Sequence, residues 1–157
     1  MTNLKYELRE ATLFDASILY HWRNDPSVLA QSGNSASVTW NEHIDWLNKT
    51  WYSIAYRLWI FEIDGKPAGQ IRFDNKYIAA TLSYSLDRGY RGHGYAADML
   101  RMGTKLVLME WPGIDNLQAN VKNENIASIK ALQSAGWQLD ACMKEEGMVS
   151  MSYKRVR

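Results

Sequence analysis

Three glycines fall within six positions of the stretch DRGYRGHGYAADML, residues 87–100, directly ahead of a helical pattern. Glycine at that density lets a ligand approach the backbone closely, and a helix N-terminus presents unpaired N–H groups with partial positive charge. The chemistry open to such a stretch is anion binding: the backbone N–H groups of Arg91, Gly92, His93, Gly94, Tyr95 and Ala96 can wrap a pyrophosphate. Two other phosphate-binding patterns fit less well. A nucleotide-hydrolysing phosphate loop needs GxxxxGK[ST], and no Lys-Ser or Lys-Thr follows these glycines. Gly92, Gly94 and Ala97 match the looser dinucleotide pattern GxGxxA, but they come past the middle of the chain, and Asp115 precedes a strand pattern instead of ending one. A glycine-rich turn that needs positive φ and binds nothing is the remaining alternative.

The elements that must hold this loop can be read from periodicity and punctuation. YELREA (6–11) alternates as a first strand, and DASILYHWRND (15–25) follows as a helix, with Asp15 as N-cap and Pro26 as its stop. Thr39 and Glu42 stand in capping-box spacing before a helix over 40–51, with Trp40, Ile44, Leu47 and Trp51 at helical intervals. RLWIFEI (57–63), the turn DGK and PAGQIRFD (67–74) predict a β-hairpin, and ATLSYSL (80–86) a further strand. After the glycine loop a long helix runs to about Glu110, ahead of Pro112, with Tyr95, Met99, Met102, Leu106 and Met109 as its core face. NLQANV (116–121) is strand-like, ENIASIKALQSAG (124–136) is a helix closed by Gly136, and two last strands flank a Glu-Gly turn. The order β-α-α-β-β-β-α-β-α-β-β predicts a mixed sheet with helices on it.

The whole chain narrows the class of function. At 157 residues it is about one domain long, since roughly 150 residues per domain is a fair prior, so 1–157 is expected to fold as one unit. Eighteen Lys plus Arg against 17 Asp plus Glu leave a net charge of +1, with no broad footprint for nucleic acid or an anionic membrane. The N-terminus lacks the apolar run of a secretory signal, and nothing approaches the ~20 apolar residues of a membrane span, so a cytoplasmic protein is expected. Cys142 is the single cysteine, which rules out an internal disulfide, and is expected as an inert buried thiol. The three histidines, His21, His43 and His93, form no HExxH pair, so no metal site is expected.

RGHGYA (91–96) between the strand SYSL and a long helix, followed by NIAS (125–128) and AGW (135–137), resembles the GNAT family of acyl-CoA N-acetyltransferases. The resemblance implies an α/β (α+β) fold with a mixed, mostly antiparallel sheet of six to seven strands and about four helices on both faces. It implies acetyl-CoA as co-substrate, held at its pyrophosphate by the backbone of 91–96. The strand ending at Leu86 would then meet the pantetheine arm, while Asn125 and Ser128 face the coenzyme from the next helix. Many members carry a tyrosine acid seven residues after that asparagine; here the position is Leu132. Ser128, Tyr84 or a water must then protonate the departing thiolate, and Ser128 matches the Asn-x-x-Ser of RimJ and RimL-like members.

HWRNDPSV (21–28), SVTWNEHIDWL (37–47) and GQIRFD (69–74) resemble GNAT enzymes that acetylate nucleotide-linked amino sugars, while WRNDP also occurs in RimJ and RimL-like enzymes acting on protein N-termini. A nucleotide-linked 4-amino sugar is the expected acceptor, a protein α-amino group the alternative, and a coenzyme-binding module without turnover a third. Arg23 and Arg72 suit a diphosphate because guanidinium binds phosphate oxygens in bidentate fashion, and Asn24 can meet hydroxyls or a base edge. Without a ligand, Arg23 would instead pair with Asp25 or Glu42, and Arg72 would be a surface charge opposite Glu62. His43 beside Trp40 would contact acceptor or act as a base; otherwise it is a half-exposed helical residue. Glu62 or Asp74 could relay a proton through water, with Glu145 and Glu146 as weaker candidates. A homodimer paired through the run MVSMSYKRV is also expected as an option.

Overall fold

The computed structural model describes residues 3–32, 36–140 and 147–156. Cys142, Glu145 and Glu146, and the turn expected there, lie outside the described residues. Strand β1 (Tyr6–Glu10) leads through a single 3-10 turn (Leu13–Asp15) into α1 (Ala16–Arg23), α2 (Pro26–Gln31) and α3 (Trp40–Trp51). β2 (Tyr56–Ile63), β3 (Lys66–Asn75) and β4 (Ala79–Leu86) follow, then α4 (Tyr95–Glu110), β5 (Asn116–Lys122), α5 (Ile126–Ser134), β6 (Gln138–Leu139) and β7 (Met148–Lys154). The strands form one sheet in the order β1-β2-β3-β4-β5-β7-β6, antiparallel throughout except for β4 beside β5.

Asp64 and Gly65 both take positive φ, 50° and 79°, which makes the two-residue turn whose twist suits a hairpin. The strand period of two then sorts side chains between two cores. Trp59, Phe61, Ile71, Phe73 and Leu82 pack with Met99, Leu100 and Val107 of α4 and Leu132 of α5. On the other face Ile60 packs with Leu19 and Trp22 of α1 and Leu47 of α3. Gly103 lets α4 lie directly on β3, because a Cβ there would collide with the Ile71 side chain.

Five helices are present among the described residues, and the extra one corrects the reading of Pro26. α1 ends at Arg23, and Pro26 is the first residue of α2, where its missing N–H costs no hydrogen bond. Asp25 is the cap of α2, accepting from the Ser27 N–H at 2.9 Å. Asp15 makes no capping bond to α1; it closes a box with Thr12 and takes both η nitrogens of Arg9, at 2.8 and 2.9 Å. The buried stripe of α3 is His43, Leu47 and Thr50, with Ile44 packed beside it; of the expected set Leu47 and Ile44 face the core, while Trp40 and Trp51 are exposed. On α4 the expected face holds for Met99, which is buried, and for Tyr95, Met102 and Leu106, which pack on the core; only Met109 departs from it, at 69 % exposed, while Leu100, Gly103, Thr104 and Val107 widen the buried face. The run MVSMSYK lies between β5 and β6 with Ser150 and Met151 buried, so it is not the exposed edge expected for a dimer.

β4 and β5 pair only across Ala79–Thr81 and Asn116–Gln118. Beyond those residues the two strands part, so the sheet opens toward Leu86 and Lys122, where the glycine loop and the start of α5 lie.

Candidate active site

The glycine loop stands at one lip of this opening. Asp87 caps the short turn Arg88–Tyr90 through the Gly89 N–H at 2.9 Å. Gly92 and Gly94 then both adopt φ of 81°, a conformation that any side chain would strain, and a Cβ at either would meet nothing within 4 Å. Gly94 is the N-cap of α4 and offers no capping side chain. The first-turn N–H groups of Tyr95, Ala96 and Ala97 therefore have no acceptor within the helix and no capping side chain. The exposed His93 ring lies 5.7 Å from the Tyr95 ring, leaving its backbone as the part that lines the loop. Arg91 sends its side chain inward, where Nε donates to the Leu86 carbonyl at 3.0 Å.

Across the opening, the Tyr84 hydroxyl on β4 and Ser128 Oγ on α5 are 2.5 Å apart. The two groups expected as alternative acids are thus one hydrogen-bonded pair. Burial raises the Tyr84 pKa above the usual tyrosine value, offset in part by Ser128, so the phenol stays protonated. Asn125 caps α5, its Oδ1 accepting from the Ser128 N–H at 3.2 Å, so the asparagine fixes the serine's position. Leu132 is fully buried in the core.

Ser85 points to the opposite face of β4 from Tyr84, toward α1 and α3. There a cavity of about 40 Å³ is lined by Arg23, Arg72, Trp46, Gln70, Ser85 and Val28, among others. The guanidinium of Arg23 lies 4.5 Å from the Trp46 ring centroid and that of Arg72 5.0 Å, so the two cations share one indole. Burial lowers both arginine pKa values, and Arg23 lowers that of Arg72 further. Neither forms an ion pair among the described residues; Asp25 is taken by Arg91, and Glu62 by Arg9 at 3.0 Å. In register Arg72 stands between Leu58 and Ser83, not opposite Glu62.

Two expected contacts are corrected. His43 is 0 % exposed, with Nδ1 3.1 Å from Arg23 Nη1 and Nε2 2.9 Å from the Ala16 carbonyl. A guanidinium only donates and a carbonyl only accepts, so Nε2 carries the proton and Nδ1 accepts from Arg23. Burial first, and the Arg23 charge after it, hold the His43 pKa below the usual histidine value. The ring has no free nitrogen for acceptor or water, and its part is to aim Arg23. Asn24 has both ends of its amide on the Val38 backbone, at 2.9 and 2.7 Å, which holds the segment leading into α3 against the end of α1. Asp74, a candidate relay, pairs with Lys76 at 3.0 Å. Trp46, Gln70 and Ser85 were missed; the three-residue spacing from His43 to Trp46, one helical face, was the signal for the first.

A loop that presents backbone donors at a helix start, beside a sheet opened between two parallel strands, has the form to take an extended phosphate-bearing molecule. Residues 5–138 match the family model of the acetyltransferase (GNAT) domain. The chain belongs to the GNAT acetyltransferase family. No curated protein is significantly similar to it in sequence. Among solved structures it is similar to aminoglycoside acetyltransferase AAC(6')-Ib in complex with coenzyme A, at 18 % identity, TM-score 0.80 and coverage of 96 % of this chain and 95 % of that one. Spermidine N-acetyltransferase from Vibrio cholerae, in complex with CoA and spermine, gives 14 %, 0.84 and 95 % of each chain. RimL, the ribosomal L7/L12 α-N-protein acetyltransferase, gives 17 %, 0.79, and 95 % and 93 %. At these identities the likeness carries the fold.

Proposed function

We propose that this acetyltransferase moves an acetyl group from acetyl-CoA to a primary amine on an anionic small molecule, a nucleotide-linked 4-amino sugar being the best match. The carrying observation is the pair Arg23 and Arg72, stacked on one indole in the cavity beside β4 with no carboxylate bound to either. Two half-buried like charges repel, and an anion entering between them relieves that repulsion while accepting from both guanidinium groups. The cavity is large enough for part of a phosphate, so the sugar and base of such an acceptor lie outside it. Polycations such as spermine, which the Vibrio enzyme was solved with, would be repelled from this face.

On this reading the pyrophosphate of acetyl-CoA sits on the N–H groups of 91–96, and the pantetheine arm runs into the opening between β4 and β5. A sugar amine titrates near pH 8, so roughly a tenth is neutral at pH 7 and can attack without a strong base. Nitrogen adds to the thioester carbon, and the oxyanion that forms is stabilised by a backbone N–H of β4. Collapse breaks the C–S bond as the Tyr84–Ser128 pair delivers a proton to the leaving thiolate, and the amine proton passes to water. The RimL likeness supports a second acceptor, a protein α-amino group, for which the same chemistry holds.

Thiol release from acetyl-CoA, measured with UDP-linked 4-amino sugars, N-terminal peptides and spermidine, separates these readings. Release with the sugars alone is expected. Release with peptides alone would move the acceptor to protein N-termini, and preference for spermidine would refute the anionic acceptor.

A further inference from the structure

The glycine loop includes an arginine whose charge does not face the loop's open side. Besides its bond to the Leu86 carbonyl, Arg91 donates from Nη2 to Asp25 Oδ2 at 3.1 Å and from Nη1 to Ser27 Oγ at 2.5 Å. Asp25 is buried, and its Oδ1 accepts from the Ser27 N–H at 2.9 Å and the Ser27 hydroxyl at 2.8 Å. Burial alone would raise its pKa, but the Ser27 and Arg91 donors outweigh it and bring the value to about 2. At neutral pH the pair is charged on both sides.

A second tie runs beside the first. Trp22 Nε1 donates to Asp87 Oδ1 at 2.9 Å, while the other oxygen of Asp87 caps the turn that leads into the loop. Arg23, the acceptor-side arginine, lies between the two anchors Trp22 and Asp25. The corner that aims Arg23 is therefore fastened to both ends of Asp87–Arg91. Two glycines at positive φ give the loop little stiffness of its own, so its bound shape has to be set from outside.

We propose that Asp25 and Arg91 are a positioning pair: Asp25, on the acceptor side, sets the shape of the coenzyme loop through the Arg91 guanidinium, which acts on binding without touching phosphate. This rests on the reading of residues 91–96 as the pyrophosphate seat. All three donor nitrogens of the fork are engaged, an arrangement that the point charge of a lysine cannot reproduce. Coupling between the two substrates follows, because whatever shifts Arg23 also moves the loop's anchor.

The test is calorimetric titration of coenzyme A into the full chain as wild type, Asp25→Asn, Arg91→Lys and the double variant. Each single change is expected to weaken Kd about tenfold, with the double variant no weaker than the worse single, since both cut one link. Arg9→Gln, which breaks an ion pair with Asp15 away from the loop, is expected to lower the melting temperature and leave Kd within twofold. Should Asp25→Asn not fold, Ser27→Ala, which removes one bond of the fork, is expected to weaken Kd about threefold. Wild-type affinity in Asp25→Asn, or losses that add in the double variant, would overturn the pair while leaving the pyrophosphate seat intact. Absence of coenzyme A binding in the wild type would overturn that seat and the pair with it.

Discussion

On the proposed mechanism Tyr84 and Ser128 divide one task between two hydroxyls, held 2.5 Å apart by different elements. Ser128→Ala removes the group on the coenzyme helix and is expected to lower kcat about 100-fold with little change in the KM of acetyl-CoA, as for the loss of a general acid. Tyr84→Phe should cost less, because Ser128 can still draw a proton from water. Steady-state kinetics on both variants check the order. Arg72→Met removes one of the two cations on Trp46 and is expected to raise the acceptor KM between about 10- and 100-fold, the worth of one hydrogen bond to a charged group. The residues on which the proposal rests were named from spacing and resemblance: the glycines stand at the start of α4, Ser128 near the start of α5, and both arginines line one cavity. What spacing could not reveal is competition for polar atoms. Asn24 and His43 look available in a line of letters, yet each is tied to groups distant in sequence, Asn24 at both ends of its amide to Val38 and both nitrogens of His43 to Ala16 and Arg23.

At the level of elements, local signals succeeded where one residue dictates one geometry. Asp64-Gly65 makes its hairpin, Thr39 caps α3, and Gly136 takes φ of 92° after α5. Signals with two meanings failed. Proline both ends and begins helices, and Pro26 begins one because Asp25 caps it. The ends of the expected faces failed, because bulky Trp40, Trp51 and Met109 continue the helical spacing beyond the part of α3 or α4 that the sheet covers, whereas small Gly103 and Thr104 mark where α4 meets the sheet. Gly103→Val, which would drive a branched side chain into Ile71, is expected to destabilise by about 1–3 kcal/mol, read as a lower denaturant midpoint. Gly94→Ala places a methyl group in open space but on a left-handed backbone, so about 1–2 kcal/mol of strain should appear, with weaker coenzyme A binding.

Across the whole molecule, buried ionisable groups tie stability to pH. The Asp25 carboxyl lies near 2 when folded against about 3.9 unfolded, so the unfolded chain binds the extra proton between those values. Its contribution is complete above about pH 4 and is lost as pH falls toward 2. His43 is depressed below about 6.5, so a first loss begins as pH drops through that value. Melting temperatures from pH 7.5 downward should fall in two stages, with the lower stage shallower in Asp25→Asn. The family was legible because the glycine loop, Asn125-x-x-Ser128 and Gly136-Trp137 recur in one order, and the sheet because each strand run is bounded by turn and helix signals. The cavity proposed for the acceptor was less so, since its lining comes from α1, α2, α3, β3 and β4, which meet only in the folded chain. One measurement tests the acceptor claim most directly: kcat/KM for thiol release from acetyl-CoA with a UDP-linked 4-amino sugar and with the same amino sugar lacking UDP. A ratio of at least about 100 in favour of the UDP-linked form is predicted, corresponding to about 2.7 kcal/mol from the two arginines. Equal values would contradict an anion site at Arg23 and Arg72.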